Sequence, residues 1–184
     1  MKIRIAQPGD EHAIAEVHVN SWRTTYAGLI PQEFHLSVEQ RRDQWKLRIE
    51  EIEATGVRKV IFVAENQFGE IFGFASGGEE RSNHREFDSE LYAIYLEPEA
   101  QNKGAGSKLT LELGKWLHSL GFIKMRAWVL GTNPSRRFYE KIGGQLLPDT
   151  QFYEFGGKQY AEVAYGFELV RLIEVLAVRE IGGK

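Results

Sequence analysis

The spacing of apolar residues predicts which parts of the chain fold as strands and which as helices. Ile3 and Ile5 alternate with polar neighbours, so the chain opens with a predicted strand. From Asp10, a residue type that caps helices, apolar positions recur as they do along one side of a helix. A second helix is predicted over residues 37–55, because Gly56 is typical of a helix end.

After this helix the period becomes strand-like. Apolar runs at 60–64 and 71–75, separated by a turn sequence, predict an antiparallel hairpin. A third run at 90–96 predicts another strand, which stops before Pro98. A glycine-rich stretch then leads into a helix whose apolar residues keep helical spacing up to Gly121.

The C-terminal part carries three further predicted strands and one helix. The strands cover residues 127–130, 151–155 and 161–169, and the helix runs from Asn133 to Gly143. The resulting order, β-αα-βββ-α-β-α-ββ, is neither a βαβ repeat nor a separation of strands from helices. It predicts a mixed α/β sheet with helices on both faces, in one domain spanning residues 1–184.

Composition excludes several kinds of chemistry and partner. The absence of cysteine excludes thiol catalysis, disulfides and cysteine-ligated zinc, and it agrees with a cytoplasmic protein. The histidines are scattered without metal-binding spacing, so they are expected to be surface or structural residues and no metal site is expected. A net charge of −3 argues against a nucleic-acid partner. The start of the chain does not resemble a signal peptide, and no apolar run approaches the roughly 20 residues that cross a membrane.

The glycine-rich stretch at 101–106 is typical of an anion site. Gly104 and Gly106 allow the backbone to turn sharply and to approach a phosphate with no Cβ in the way. The first N–H groups of the helix that follows lack intrahelical partners, and the helix dipole adds positive potential there. A plain flexible loop is the alternative. Walker spacing is absent, and Leu109 stands where a Rossmann fingerprint requires glycine.

The stretch from Glu90 to Leu109 resembles the main motif of the GNAT superfamily of acyl-CoA-dependent N-acetyltransferases. The strand, the proline, the Q-x-x-G-x-G loop and the amphipathic helix occur in the family's order, and the elements fit the family to about Leu169. The resemblance implies a mostly antiparallel sheet of about seven strands. It also implies a bulge in the fourth strand and a splay between the fourth and fifth strands.

The resemblance implies acetyl-CoA as cosubstrate and indicates the residues that bind it. Backbone N–H groups of the loop would bind the pyrophosphate, and the end of the fourth strand would pair with the pantetheine arm as an added strand does. The expected cosubstrate-binding residues are Ile94, Tyr95, Leu96, Gln101, Asn102, Lys103, Gly104, Ala105, Gly106, Ser107, Asn133 and Phe138.

Residues 133–143 resemble a later motif of the same family, N-x-x-x-x-x-F-Y-E-K-x-G. The resemblance implies that Tyr139 lies near the thioester sulfur and acts as general acid for the departing thiolate. A phenol with an ordinary pKa of about 10 stays protonated at neutral pH and can donate. In the alternative interpretation, Asn133 only starts a helix, Phe138 is core, and the charged residues form a solvated face: Arg136, Arg137, Glu140 and Lys141.

An amine must lose a proton before or during attack on a thioester, so a base or a water chain is needed. Glu90 is the candidate, because some members of the family carry a strand glutamate at this spacing before the loop. Strand period places Asp88, Glu90 and Tyr92 on one face, which would attract a cationic amine if it lines the cleft. The alternative for Glu90 is an exposed strand end. Solvated charge is expected for the neighbouring acidic residues Glu79, Glu80, Glu86 and Asp88.

Trp22 and Tyr26 lie four residues apart in a segment that also resembles bacterial members of the family. With Tyr92 they are candidates for contact with the acceptor, although Trp22 has packing as an alternative. The apolar stretch 170–178 either packs on its own domain or meets a second subunit, which leaves a homodimer open.

Together these features predict transfer of an acetyl group from acetyl-CoA to a primary amine, by direct attack in a ternary complex. A covalent acetyl-thiol enzyme is excluded, because the chain has no cysteine. A non-catalytic acyl-CoA-binding module with the same fold is the alternative, and a nucleotide-binding domain is disfavoured by the glycine spacing. The acceptor stays open among small amines, polyamines, antibiotic amines and peptide N-termini.

Overall fold

The computed structural model describes residues 1–25, 36–155 and 157–182, and its strands form one seven-stranded sheet. The strands are β1 (Lys2–Ile5), β2 (Lys59–Glu65), β3 (Ile71–Glu79), β4 (Ser89–Leu96), β5 (Lys124–Leu130), β6 (Gln145–Phe155) and β7 (Lys158–Glu168). The helices are α1 (Glu11–Thr25), α2 (Val38–Thr55), α3 (Ala105–Ser119), α4 (Arg136–Lys141) and α5 (Leu169–Gly182). The predicted order is confirmed, and α5 is the element that the sequence left unassigned.

The sheet is mixed, as predicted. Its strand order is β1-β2-β3-β4-β5-β7-β6. The β4–β5 pair is parallel, and every other neighbouring pair of described strands is antiparallel. The parallel pair lies at the centre, where the connection through α3 crosses from β4 to β5.

Local capping explains why α2 begins and ends where the sequence predicts. The Ser37 hydroxyl accepts a hydrogen bond from the Gln40 N–H at 3.2 Å, and the Gln40 side chain accepts one from the Ser37 N–H at 2.9 Å. Gly56 ends the helix in the left-handed conformation, with φ 60°. Such caps contribute about 1 kcal/mol each and fix the direction in which α2 enters the fold.

Two apolar cores lie on opposite faces of the sheet. On one face, Leu109, Leu113 and Leu117 of α3 pack with Leu172 and Leu176 of α5. The C-terminal apolar stretch therefore packs on its own domain, the first of the two alternatives that the sequence left open. In the described ranges, no helix is both long and apolar enough to cross a membrane.

The second core joins α1 and α2 to the other face. Trp45 of α2 is 1% exposed and contacts Phe74 of β3 edge-on, with ring centroids 4.8 Å apart. His18 of α1 accepts a hydrogen bond from the Trp45 indole at 3.1 Å and stacks on Tyr95 at 4.5 Å. His18 is thus a satisfied structural histidine, as expected, and this core supports the end of β4.

Candidate active site

A cleft opens where β4 and β5 separate. The two strands pair only through Ser89, Glu90 and Leu91, opposite residues 125–127, although both strands continue further. The β3–β4 register shifts at the same place, because Ser76 pairs with Ala93 while Gly77 pairs with Leu91. Tyr92 is therefore an extra residue in β4, and a bulge of this kind bends a strand and increases its twist. The predicted bulge and splay are both present, and the cleft between the strands has a volume of about 470 Å³.

The loop after β4 forms one wall of this cleft. Gly104 caps α3 with φ 88° and Asn102 has φ 60°, both in the left-handed region that glycine and asparagine tolerate best. In the first hydrogen bond of the helix, the Lys108 N–H donates to the Gly104 carbonyl at 3.1 Å. The N–H groups of residues 105–107 therefore precede the first intrahelical donor, as at any helix start. This arrangement fits a pyrophosphate, which the helix start attracts.

Gly106 brings this loop close to α4. A Cβ on Gly106 would lie 3.2 Å from Cε2 of Phe138, closer than most real contacts. Thr110 closes the same turn by donating from its hydroxyl to the Gly106 carbonyl at 2.9 Å. The glycine at 106 thus serves the close packing between α3 and α4.

Tyr139 lies on α4 and lines the cleft. Its ring stacks on Tyr165 with centroids 5.5 Å apart and meets Phe138 edge-on at 5.5 Å. Burial raises the pKa of the Tyr139 hydroxyl above its ordinary value, and the neighbouring Tyr95 and Glu162 act in the same direction. The hydroxyl is therefore protonated at neutral pH, as a general acid requires.

The charged residues of α4 are not simply a solvated face. Tyr165 donates from its hydroxyl to Glu140 at 2.7 Å, and Arg136 donates to the Tyr165 oxygen at 3.2 Å and to the Gly131 carbonyl at 3.0 Å. These bonds tie α4 to β7. Arg137 and Lys141 instead line the cleft, where sequence reasoning did not place them.

Asn133 is buried at 5% exposure and lines the cleft. Its side-chain oxygen accepts a hydrogen bond from the Ser135 N–H at 2.8 Å, which turns the chain just before α4. The helix itself begins at Arg136, later than the sequence predicts, because this turn occupies the preceding residues.

Glu90 is buried at 2% exposure, so the alternative of an exposed strand end is wrong. Arg81 donates to both carboxylate oxygens of Glu90, and the Arg81 guanidinium lies 4.4 Å from the centre of the Tyr92 ring. Tyr92 donates from its hydroxyl to the Glu79 carbonyl. Burial, with the charge of Glu90, raises the pKa of Tyr92 above its ordinary value.

Two other acidic residues expected as solvated charge have structural partners. Glu80 is 8% exposed and pairs with Arg126, so the expectation for it is wrong. Asp88 is half-buried and accepts hydrogen bonds from the backbone N–H groups of Ile123 at 2.8 Å and Lys124 at 3.0 Å. Both contacts fix the segment between β3 and β4 beside the cleft.

Known proteins are similar to this chain in sequence. The family model described as FR47-like protein matches residues 81–153. An uncharacterized N-acetyltransferase of Bacillus subtilis (strain 168), YuaI, is 37% identical over 179 residues, which are 96% of this chain and 98% of the relative. The chain belongs to the GNAT superfamily of acetyl-CoA-dependent N-acetyltransferases.

Two further matches agree with the GNAT assignment. Spermidine N(1)-acetyltransferase of Thermoplasma acidophilum is 27% identical over 157 residues, covering 84% of this chain and 94% of the relative. The structure of the PaiA N-acetyltransferase from Thermoplasma acidophilum in complex with coenzyme A superposes with a TM-score of 0.69 at 24% identity. That match covers 91% of this chain and 99% of the other, and it shows the shared GNAT fold.

In this GNAT domain the expected cosubstrate-binding residues line the cleft, with two exceptions. Lys103 and Ala105 belong to the same stretch of chain but do not line the cleft. Glu90 does not line the cleft, although its neighbours Leu91 and Tyr92 do. Trp22 lines an adjacent cavity instead.

Tyr26 lies outside the described residues. The described part of the chain contains no group of three or more histidine, cysteine, aspartate or glutamate side chains that could hold a metal ion.

Proposed function

We propose that the chain transfers the acetyl group of acetyl-CoA to the primary amine of a small molecule, by direct attack in a ternary complex. The observation that carries the proposal is the cleft, since the phosphate loop, the splayed end of β4 and Tyr139 all line one cavity. The Thermoplasma relative is named for spermidine, which is a small amine. A small-molecule acceptor is proposed here on that likeness.

The cosubstrate would lie along the cleft with its pyrophosphate on residues 102–107. Backbone N–H groups of this loop bind phosphate oxygens without a long side chain to order. Arg137 and Lys141 add positive charge to the same cavity. The backbone of residues 94–96 would pair with the pantetheine arm, and Asn133 would hydrogen-bond to it. Acetyl-CoA supplies an activated acyl thioester.

Proton transfer would fall to two residues. Glu90 would accept the proton of the amine through an intervening water, since its neighbours Leu91 and Tyr92 line the cleft and Glu90 itself does not. Arg81 holds the Glu90 carboxylate in place through two hydrogen bonds. Tyr139 would donate its proton to the sulfur, so that the amine nitrogen gains a bond to the acetyl carbon while the carbon–sulfur bond breaks. The backbone N–H of Tyr95 would polarise the thioester carbonyl.

The test is release of free coenzyme A thiol, measured with a panel of small amines and with product mass. An acetyltransferase releases thiol only when an accepted amine is present, and the product mass rises by one acetyl group. A chain that binds acetyl-CoA but releases no thiol with any amine is the non-catalytic module, and that result would overturn the proposal.

A further inference from the structure

A second cavity lies directly beside the cleft, on the face of the sheet that α1 and α2 cover. Its volume is about 350 Å³, and its walls come from α1, α2 and strands β2 to β4. Tyr92, Ala93 and Tyr95 line both this cavity and the cleft. A molecule in the second cavity therefore adjoins the part of β4 that borders the reacting groups.

Positive charge dominates the lining of this cavity. Arg41 and Arg48 project from α2, and Arg81 enters from the segment after β3. Lys59 and Glu51 also line the cavity, but their charges are paired with each other at 3.1 Å. Arg81 is paired with Glu90, so Arg41 and Arg48 are the guanidinium groups of this cavity that form no salt bridge within the described residues.

Arg41 and Arg48 are held in place by uncharged groups. Arg41 donates to the Gln44 side chain at 3.1 Å, and its guanidinium lies 6.0 Å from the centre of the Trp22 ring. Arg48 lies 4.7 Å from the centre of the Trp45 ring. Across the described ranges, neither arginine forms a salt bridge with a carboxylate.

Bringing these cations together is unfavourable without an anion. Burial lowers the pKa of Arg41, and the charge of Arg48 adds to that effect. Burial likewise lowers the pKa of Arg48, with the charge of Arg81 acting in the same direction and that of Glu51 opposing it. Burial, with the charges of Arg41 and Arg48, lowers the pKa of His18 to about 3, so the imidazole at the base of the cavity stays neutral. A bound anion would offset the repulsion between Arg41 and Arg48.

The rest of the wall suits a carbon skeleton. Trp22, Trp45, Tyr92 and Tyr95 contribute aromatic side chains to the same cavity. Aromatic walls with a few convergent charged groups are typical of small-molecule sites. The cavity therefore combines apolar surface with a site for negative charge.

We propose that this cavity binds an anionic group of the acceptor, so that the acceptor is an amino acid or a related amine that carries a carboxylate or a phosphate group. The inference rests on the proposed acetyl transfer and specifies its substrate class. Arg41 and Arg48 would bind the anion, while the amine would extend past Tyr92 into the cleft. A polyamine, which carries only positive charge, is disfavoured by the same two arginines, Arg41 and Arg48.

Matched acceptors test the charge requirement. Thiol release is measured for the proteinogenic amino acids against their decarboxylated amines, for β-alanine against propylamine, and for spermidine. We expect the best carboxylate-bearing acceptor to exceed its partner without the carboxylate in kcat/KM by about tenfold or more, the effect of a hydrogen bond to a charged group. Equal values within each pair, or preference for spermidine, would overturn the inference while leaving acetyl transfer intact.

Variants locate the anion site. Arg41→Gln and Arg48→Gln should each raise KM for the anionic acceptor about tenfold or more and leave KM for acetyl-CoA unchanged. Arg42→Gln is the matched control, because Arg42 lies on the same helix but does not line the cavity, and it pairs with Asp43 at 2.9 Å. An unchanged acceptor KM in Arg41→Gln and Arg48→Gln, or an equal rise in Arg42→Gln, would contradict the assignment.

A binding measurement that needs no turnover separates this inference from the proposed function. With the cleft filled by saturating coenzyme A, inorganic phosphate should raise the unfolding midpoint of the wild type more than that of Arg41→Gln or Arg48→Gln. The same phosphate shift in all three proteins would overturn the anion site. If acetyl-CoA itself does not bind, the proposed function is wrong. The anion site is then still tested without coenzyme A, by comparing the phosphate-induced rise in the unfolding midpoint between the wild type and the Arg41→Gln and Arg48→Gln variants.

Discussion

Replacing Arg126 with methionine, which removes the guanidinium group, tests how the segment between β3 and β4 is held in place. The side chains of Arg126 and Glu80 are 4% and 3% exposed, so their ion pair is buried. Breaking a buried pair leaves a charge without its partner and costs about 3–5 kcal/mol. We expect Arg126→Met to lower the free energy of unfolding by about 3 kcal/mol, at the low end of that range, because Glu80 keeps other hydrogen-bond donors. Ser82 donates to it through both its N–H and its hydroxyl, and His84 donates through its N–H.

Urea unfolding gives this loss directly, and the thermal midpoint should fall by about 6–12 °C for a domain of this size. The double variant Arg126→Met with Glu80→Gln is the control, since it removes both charges and should recover more than half of the lost stability. A loss below about 1 kcal/mol, or a double variant no more stable than Arg126→Met, would refute the reasoning.

The same pair makes stability depend on pH. Burial acts to raise the pKa of Glu80, but hydrogen bonds from Ser82 and His84, with the charge of Arg126, hold it below its ordinary value. The stabilisation is therefore complete above the pKa of the unfolded chain and is lost as pH falls through the folded pKa. In Arg126→Met the folded pKa of Glu80 rises, so less stability is lost on acidification, and the urea midpoints of the two proteins should converge as pH falls. Identical pH profiles would contradict this.

Three further changes test the site and the fold. Tyr139→Phe should lower kcat about 10²- to 10⁴-fold and leave the Kd of acetyl-CoA unchanged, whereas equal kcat values would remove Tyr139 from its role as acid. Gly104→Val should weaken acetyl-CoA binding more than tenfold in a titration, because a branched residue is strained at φ 88°; unaltered affinity would mean that the loop does not bind the pyrophosphate. Leu176→Ala should cost about 2–5 kcal/mol in urea unfolding because Leu176 is 1% exposed, while Val178→Ala, at 69% exposed, should change little; equal losses would show that α5 does not dock as described.

The element order and the phosphate loop were predictable because their signals are local. The cap at Ser37, the glycine at 56 and the apolar runs of β2 and β3 each act within a few residues. The backbone conformation of the loop at 101–106 depends on glycines within the loop itself. Such features can be read from one stretch of sequence without knowing what packs against it.

The charged partners were not predictable, because they depend on contacts distant in sequence. Glu80 resembles a solvated residue until Arg126, 46 residues away, is placed beside it. The resemblance implied a bulge in the fourth strand, but its position at Tyr92 is a property of the β3–β4 register and not of one strand. The arginines of α2 gave a partial signal, since Arg41, Trp45 and Arg48 recur at helical spacing and mix charge with an aromatic residue.

The central claim is that the cleft between β4 and β5 binds acetyl-CoA, and the thermal unfolding midpoint with added ligand tests it most directly. Acetyl-CoA at 100 times its Kd stabilises by about 2.7 kcal/mol, or about 5–11 °C in a domain of this size. We predict a rise of this size with acetyl-CoA and none with ATP or NADH. No rise at millimolar acetyl-CoA, or an equal rise with ATP or NADH, would contradict the account.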